Sequence, residues 1–132
     1  MTVCLDSWAV LAWLDGDQPA QQRVEQSLKD RPLMSWVNAV EVYYRVERDH
    51  GRTEADGVLA GMRKLLELDL PGTTLMIETA RLKAAMLIAL GDCFAIATAC
   101  SHGLTLLTGD PEILAQSVPC PVEDLRSTRS LP

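Results

Sequence analysis

The sequence predicts an α/β domain built on a mainly parallel central sheet. Short apolar segments that suit buried strands alternate with longer segments of helical periodicity, which is typical of strand–helix units. The chain has 132 residues and a hydrophobic content of 48%, so it can form one domain with a sizeable core. Parallel sheets bind ligands at the carboxyl ends of their strands, which makes the residues at that edge the first candidates for function.

In the first half of the chain, the pattern of apolar residues predicts two strands and four helices. The apolar segment 2–5 is typical of a short buried strand, and 33–35 is a second strand candidate. The third helix ends at His50-Gly51, a normal C-terminal signal, and the fourth carries one apolar stripe at positions i, i+1, i+4, i+7 and i+8. The predicted helices span residues 7–14, 20–28, 38–49 and 53–66.

The second half continues the alternation. The segment 92–101 is almost wholly apolar, which is typical of a central, buried helix. A helix is also expected over 75–85 and a helical turn over 111–115, while strands are expected at 67–70, 104–107 and 120–122. We expect residues 1–125 to form a single domain and residues 126–132 a loose tail.

Charge and composition exclude several classes of protein. The net charge of −6 argues against tight, unaided binding of nucleic acid, which normally requires a basic face. The longest apolar runs, such as 84–90, are too short to span a bilayer, and we expect no secretory leader because residues 1–15 lack the pattern of one. The four cysteines form no CxxC pair, so reduced thiols in a cytoplasmic protein are expected.

Four short patches each end a strand or open a helix with a carboxylate. They are Val3–Asp6, Asn38–Glu41, Ile88–Asp92 and Leu106–Asp110. Acids placed in this way can meet at one edge of a parallel sheet, where two charges roughly 4 Å apart repel by about 4 kcal/mol at an effective dielectric of about 20. A hard divalent cation held by oxygen ligands would offset this repulsion, and such a cation supports phosphodiester hydrolysis.

Helix capping is the structural alternative for each acid taken singly. Asp6 precedes a predicted helix, Asp92 opens another, and Asp110 precedes Pro111, which suits a first helical position. Asn38 and Glu41 have the spacing of a capping box. Uncharged Ser or Asn would cap equally well, however, so the repeated use of Asp beside apolar segments favours a shared site.

The ordered set of patches resembles the PIN-domain ribonucleases, in particular VapC-type toxins of bacterial toxin–antitoxin pairs. The similarity covers nearly the whole chain, and its most specific segment is Ile88–Cys93 followed by small apolar residues. One departure is Ala89, which stands where a Ser is common in the family. The resemblance implies a three-layer α/β/α domain and leaves the shape of the substrate groove open.

The resemblance also implies the chemistry. Asp6, Glu41, Asp92 and Asp110 would be the catalytic acids and would hold Mg²⁺ or Mn²⁺, directly or through water, for the hydrolysis of RNA. Asp6 and Asp92 are the first choices as direct ligands. Glu112 is a possible extra acid, although complementarity to the helix dipole in a first turn is the favoured interpretation. A small antitoxin protein and a homodimer are the expected partners, with no membrane association.

Four further residues are candidates for supporting roles. Ser7 and Thr108 could donate hydrogen bonds to the metal-binding acids, or simply cap a helix and complete a strand. Arg45 and Arg48 follow Glu41 by four and seven residues and could contact RNA phosphate. Solvated ion pairs with neighbouring acids are the alternative for both arginines.

Other classes fit the sequence less well. A haloacid dehalogenase-type phosphatase needs a second Asp where Trp8 stands, and a dinucleotide-binding fold needs a GxGxxG motif after the first strand, which is absent. The ribonuclease H fold usually opens with consecutive antiparallel strands, whereas a helix follows the first strand here. A non-catalytic PIN-like module that binds proteins remains the main alternative, although it would have no need for all four acids.

Overall fold

The computed structural model describes residues 2–126, which form a five-stranded sheet flanked by helices. The strands are β1 (Cys4–Leu5), β2 (Leu33–Ser35), β3 (Glu67–Asp69), β4 (Leu106–Thr108) and β5 (Val122–Asp124). The helices are α1 (Ser7–Asp15), α2 (Ala20–Ser27), α3 (Trp36–His50), α4 (Arg52–Leu65), α5 (Thr73–Ala85), α6 (Leu90–Ser101) and α7 (Pro111–Leu114), with a 3₁₀ turn at Leu28–Asp30. Within this part of the chain, no helix is both long and apolar enough to cross a membrane.

The sheet has the order β3-β2-β1-β4-β5, and all of its pairings are parallel. Side chains alternate between its two faces, as the strand period of two requires. Leu5 and Leu107, which are register partners, pack with residues of α1 to α4, whereas their neighbours Cys4 and Leu106 pack with α6 and α7 on the other face. This arrangement confirms the predicted three-layer α/β/α fold.

The helices begin earlier than predicted at two positions that matter for function. α3 begins at Trp36 because the Ser35 hydroxyl accepts a hydrogen bond from the Val37 amide at 3.2 Å and caps the helix. The capping-box interpretation of Asn38 and Glu41 is therefore wrong, since both lie inside the helix. α6 begins at Leu90, so its third residue is Asp92, which does not cap it.

Smaller differences lie at the strand ends. β1 is shorter than predicted, β4 extends to Thr108, and β5 begins at Val122, so Cys120 precedes the strand instead of opening it. The proposed tail, 126–132, lies outside the described residues except for Arg126, which forms an ion pair with Asp124 at 2.9 Å. The single-domain boundary at residue 125 stays a prediction.

Candidate functional site

The centre of the site lies where the neighbouring strands β1 and β4 end. Asp6 follows β1 and is only 2% exposed; its Oδ1 accepts a hydrogen bond from the Ala9 amide at 2.8 Å and so caps α1. Its Oδ2 accepts a short hydrogen bond from the Thr108 hydroxyl, at the end of β4. The Thr108 hydroxyl in turn accepts from the Asp110 amide at 3.0 Å. One side chain thus connects two of the four acids across adjacent strands.

A close packing contact supports the segment between Thr108 and Asp110. A Cβ atom on Gly109 would lie 2.2 Å from the ring carbon Cη2 of Trp8. Only a residue without a side chain allows the Trp8 ring to approach the backbone so closely. Trp8 therefore helps to fix the turn that carries Asp110.

Asp92, Asp110 and Glu112 form a group of three possible metal ligands among residues 2–126. One carboxylate oxygen of each lies within 4.8 Å of the others. Asp110 caps α7, since its Oδ1 accepts from the Glu112 amide at 2.8 Å, and this bond also places Glu112 on the first turn. Glu112, for which helix-dipole complementarity was the favoured interpretation, thus lies in one group with Asp92 and Asp110.

Glu41 approaches the site from α3 and lies against the first turn of α6. The buried Asn38 side chain donates from Nδ2 to Glu41 Oε1 at 2.8 Å and to the Gly91 carbonyl at 3.1 Å. Sequence reasoning missed Gly91 altogether and gave Asn38 only a capping role. The available signal was a glycine inside a mostly apolar helix, because a glycine there weakens the helix and often marks a place where another group packs closely against the backbone.

Burial and mutual repulsion change the acidity of two carboxyls. Burial, with smaller contributions from Asp110 and Glu41, raises the pKa of Asp6 to about 7, although its bonds from Thr108 and Ala9 act in the opposite direction. Burial and the nearby charges of Asp110 and Asp6 likewise hold the pKa of Asp92 well above its usual range. Both shifts show that negative charge is crowded in a poorly solvated place.

The residues present fit a hard divalent cation. Asp92 Oδ2 is buried and has no hydrogen-bond partner among residues 2–126, which is costly for a carboxylate oxygen. The Asp92 side chain lies in one group with those of Asp110 and Glu112, and carboxylate oxygens are the ligand type that Mg²⁺ and Mn²⁺ prefer. A bound cation would pair the unpartnered oxygen and offset the repulsion that raises the two pKa values.

The raised pKa values predict an unusual pH dependence of stability in the absence of metal. Between about pH 4 and pH 7, Asp6 and Asp92 are protonated in the folded state but ionised in the unfolded state, where an Asp has a pKa of about 3.9. The free energy of unfolding contributed by these groups therefore falls as the pH rises from about 4 to about 7. Thermal melting in chelator should show this decrease, and Asp92→Asn should make it smaller; an equal slope in both proteins would contradict the crowding of these acids.

Thr108 offers a second stability prediction. Replacing it with Val keeps the shape but removes the hydroxyl that bridges Asp6 and Asp110, which should lower the free energy of unfolding by about 1–3 kcal/mol. Thr79→Val is the matched control, because the buried Thr79 hydroxyl only donates to the Leu75 carbonyl within α5 at 2.8 Å. Urea unfolding of both variants in chelator measures the difference; equal losses would show that the bridge adds nothing to stability.

The remaining candidates lie outside this hydrogen-bonded centre. The Ser7 hydroxyl makes no hydrogen bond to the four acids within residues 2–126. Arg48 pairs with its exposed neighbour Asp49 at 3.1 Å, as the ion-pair alternative expected. Arg45 lines a cavity of about 160 Å³ beside His50 and Glu54, and none of the four acids lines that cavity.

Comparison with known proteins identifies the family to which this site belongs. The family model of the PIN domain matches residues 3–117, which is most of the chain and includes all four acids. The chain belongs to the PIN domain family. No curated protein matches the sequence at a significant level.

Solved structures share the PIN fold at low sequence identity. A chain of DNA-bound VapBC from Salmonella typhimurium matches with a TM-score of 0.77 and 19% identity, over 96% of this chain and 99% of that chain. A chain of Rickettsia felis VapBC2, bound to a promoter DNA fragment, matches with a TM-score of 0.76 and 16% identity, over 96% and 100% of the two chains.

A third similar structure is that of a toxin. VapC20 from Mycobacterium tuberculosis, described as a sarcin–ricin loop cleaving toxin, matches this PIN domain with a TM-score of 0.72 and 16% identity. The match covers 89% of this chain and 96% of that chain. Together with the family model, these matches confirm the resemblance inferred from the four patches.

Proposed function

We propose that this PIN domain is a metal-dependent endoribonuclease and the toxin of a toxin–antitoxin pair. The observation that carries the proposal is the buried Oδ2 of Asp92, which has no hydrogen-bond partner among residues 2–126 and belongs to a side chain grouped with two further carboxylates. Membership of the PIN family and the fold shared with VapBC chains and VapC20 support the same conclusion.

In this proposal Asp92 and Asp110 hold Mg²⁺ or Mn²⁺ together with Glu112, and Asp6 and Glu41 complete the site directly or through water. When bound, the ion supplies an activated water and stabilises charge that develops on the phosphate. Thr108 keeps Asp6 and Asp110 in fixed relative positions through its two hydrogen bonds. Glu41, which extends from α3 towards the first turn of α6, would orient the attacking water.

Because the site is negatively charged, the cation would be required for the binding of RNA as well as for its hydrolysis. Four or five carboxylates repel a phosphodiester, and the chain carries a net charge of −6. RNA therefore approaches only after the acids are neutralised. Of the two arginines proposed for phosphate contact, Arg48 pairs with Asp49 and Arg45 lines a cavity that none of the four acids lines, so contact by either would be with RNA phosphates away from the carboxylates.

The proposed partners follow from the same charge pattern and from the related complexes. Several of the similar structures are VapBC assemblies, so we propose a small antitoxin partner and a homodimer of this chain. A basic antitoxin side chain placed among the carboxylates would complement the site and block entry of the metal.

Cleavage of a mixed RNA pool tests the proposed activity. Purified protein, free of any co-purified partner, is incubated with RNA in Mn²⁺ and in chelator, and with a DNA pool of matched sequence. We expect RNA fragments only in Mn²⁺. Cleavage in chelator would reject the metal-dependent mechanism, and intact RNA in all conditions would favour the alternative of a protein-binding module.

A further inference from the structure

The position of the Glu41 carboxylate depends on two residues of different elements. Asn38, one turn earlier on α3, is 1% exposed and donates both of its amide hydrogen bonds into the site. One goes to Glu41 Oε1 at 2.8 Å and the other to the carbonyl of Gly91 on α6 at 3.1 Å. The same amide therefore joins the two helices and restrains the carboxylate between them.

The orientation of the Asn38 amide follows from its partners. Both nearby groups, the Glu41 carboxylate and the Gly91 carbonyl, are acceptors, so only the nitrogen can face them. The oxygen, Oδ1, is left buried without a hydrogen-bond partner among residues 2–126. An unpaired buried oxygen lowers the free energy of unfolding. The helix could form without an amide at position 38, so folding of α3 does not explain why this cost is present.

Gly91 provides the space in which the carboxylate lies. A Cβ atom on this residue would be 2.1 Å from Glu41 Oε2 and 2.6 Å from Glu41 Cδ, far inside any allowed contact. By contrast, a Cβ on Gly57, in the middle of α4, would have no atom of residues 2–126 within 4 Å apart from its own helix backbone and chain neighbours. The carboxylate occupies the space that a side chain at position 91 would fill.

We infer that Asn38 and Gly91 are positioning residues that fix the Glu41 carboxylate against the first turn of α6, beside Asp92. Without them, Glu41 would rotate towards solvent, because its side chain is flexible and the acids of the site repel it. The inference rests on the proposed function, in which Glu41 takes part in RNA hydrolysis. It adds that the glycine and the amide are needed for that role although neither contacts metal or substrate.

Gly91→Ala tests the inference, with Gly57→Ala as the matched control. Because alanine at position 91 displaces the carboxylate, we expect RNA cleavage in Mn²⁺ to fall about 100-fold, as for other small misplacements of catalytic groups. Gly57→Ala should keep the wild-type rate. Asn38→Asp, which replaces the donor with an acceptor, should lose activity in the same way as Gly91→Ala.

A Glu41→Ala background separates positioning from general damage. If position 91 acts through Glu41, Gly91→Ala should cause no further loss of activity in that background. An equal loss in both backgrounds, or wild-type cleavage by Gly91→Ala itself, would overturn the inference.

Thermal melting in chelator gives a readout that does not depend on activity. Alanine is favoured over glycine in a helix, so Gly91→Ala should raise the melting temperature more in the Glu41→Ala background, where the clash is gone, than in the wild-type chain. Equal shifts would overturn the placement of Glu41. If the shifts differ but the wild-type protein cleaves no RNA, the positioning is right and the proposed function is wrong.

Discussion

Asp92→Asn is expected to lower the rate of RNA cleavage by about 1000-fold or more, because the substitution removes a carboxylate ligand of the metal together with its negative charge. Asp92 contributes a buried carboxylate oxygen that has no hydrogen-bond partner among residues 2–126, and its carboxylate lies within reach of Asp110 and Glu112. The amide is nearly isosteric, so the fold should persist. The measurement is the initial rate of cleavage in saturating Mn²⁺, with circular dichroism to verify folding.

Asp17→Asn is the control for this substitution. Asp17 is an exposed acid in the turn between α1 and α2, away from the site, so its loss changes the net charge equally without changing the site. Its cleavage rate should stay close to that of the wild-type protein. A rate for Asp92→Asn within tenfold of the control would remove Asp92 from the mechanism.

Divalent metal is expected to stabilise the folded protein strongly. Binding to the folded state alone contributes about 2.7 kcal/mol when the free ion is at 100 times its Kd, which for a chain of this size raises the melting temperature on the order of 10 °C. The stabilisation has a specific physical source here, because the ion relieves the repulsion that raises the pKa values of Asp6 and Asp92. Thermal melting at increasing concentrations of Mg²⁺ or Mn²⁺ measures it.

The same titration with Asp92→Asn and Asp110→Asn locates the effect. Both variants should melt at a higher temperature than the wild-type protein in chelator, since each removes one repelling charge, and both should respond less to metal. A metal response that is unchanged in both variants would place the bound ion elsewhere on the chain.

Much of the fold follows from periodicity in the sequence. The register partners Leu5 and Leu107 pack on one face of the sheet, and Cys4 and Leu106 pack on the other, so the apolar strands required helices on both sides. The apolar segment after Asp92 became a buried helix for the same reason. The positions of Asp6 and Asp110 could also be predicted from the sequence, because each follows a strand and caps the next helix.

The rest of the site depends on contacts between residues distant in sequence. Ser35 caps α3, so the helix begins before Asn38 and Glu41. Both residues therefore lie inside the helix and contact α6. The pairing of Gly91 with Glu41 across 50 positions leaves no local pattern. Glu112 has the spacing of an ordinary helix-dipole residue, and only the fold brings it near Asp92.

The most direct test of the account measures metal occupancy and RNA cleavage on one sample. Mn²⁺ is titrated into the purified protein, the bound ion is followed by electron paramagnetic resonance, and the cleavage rate is determined at each concentration. The account predicts that cleavage rises with occupancy of a site that Asp92→Asn weakens. Full occupancy without cleavage, or cleavage before any metal binds, would contradict the claim that these carboxylates form a metal-dependent nuclease site.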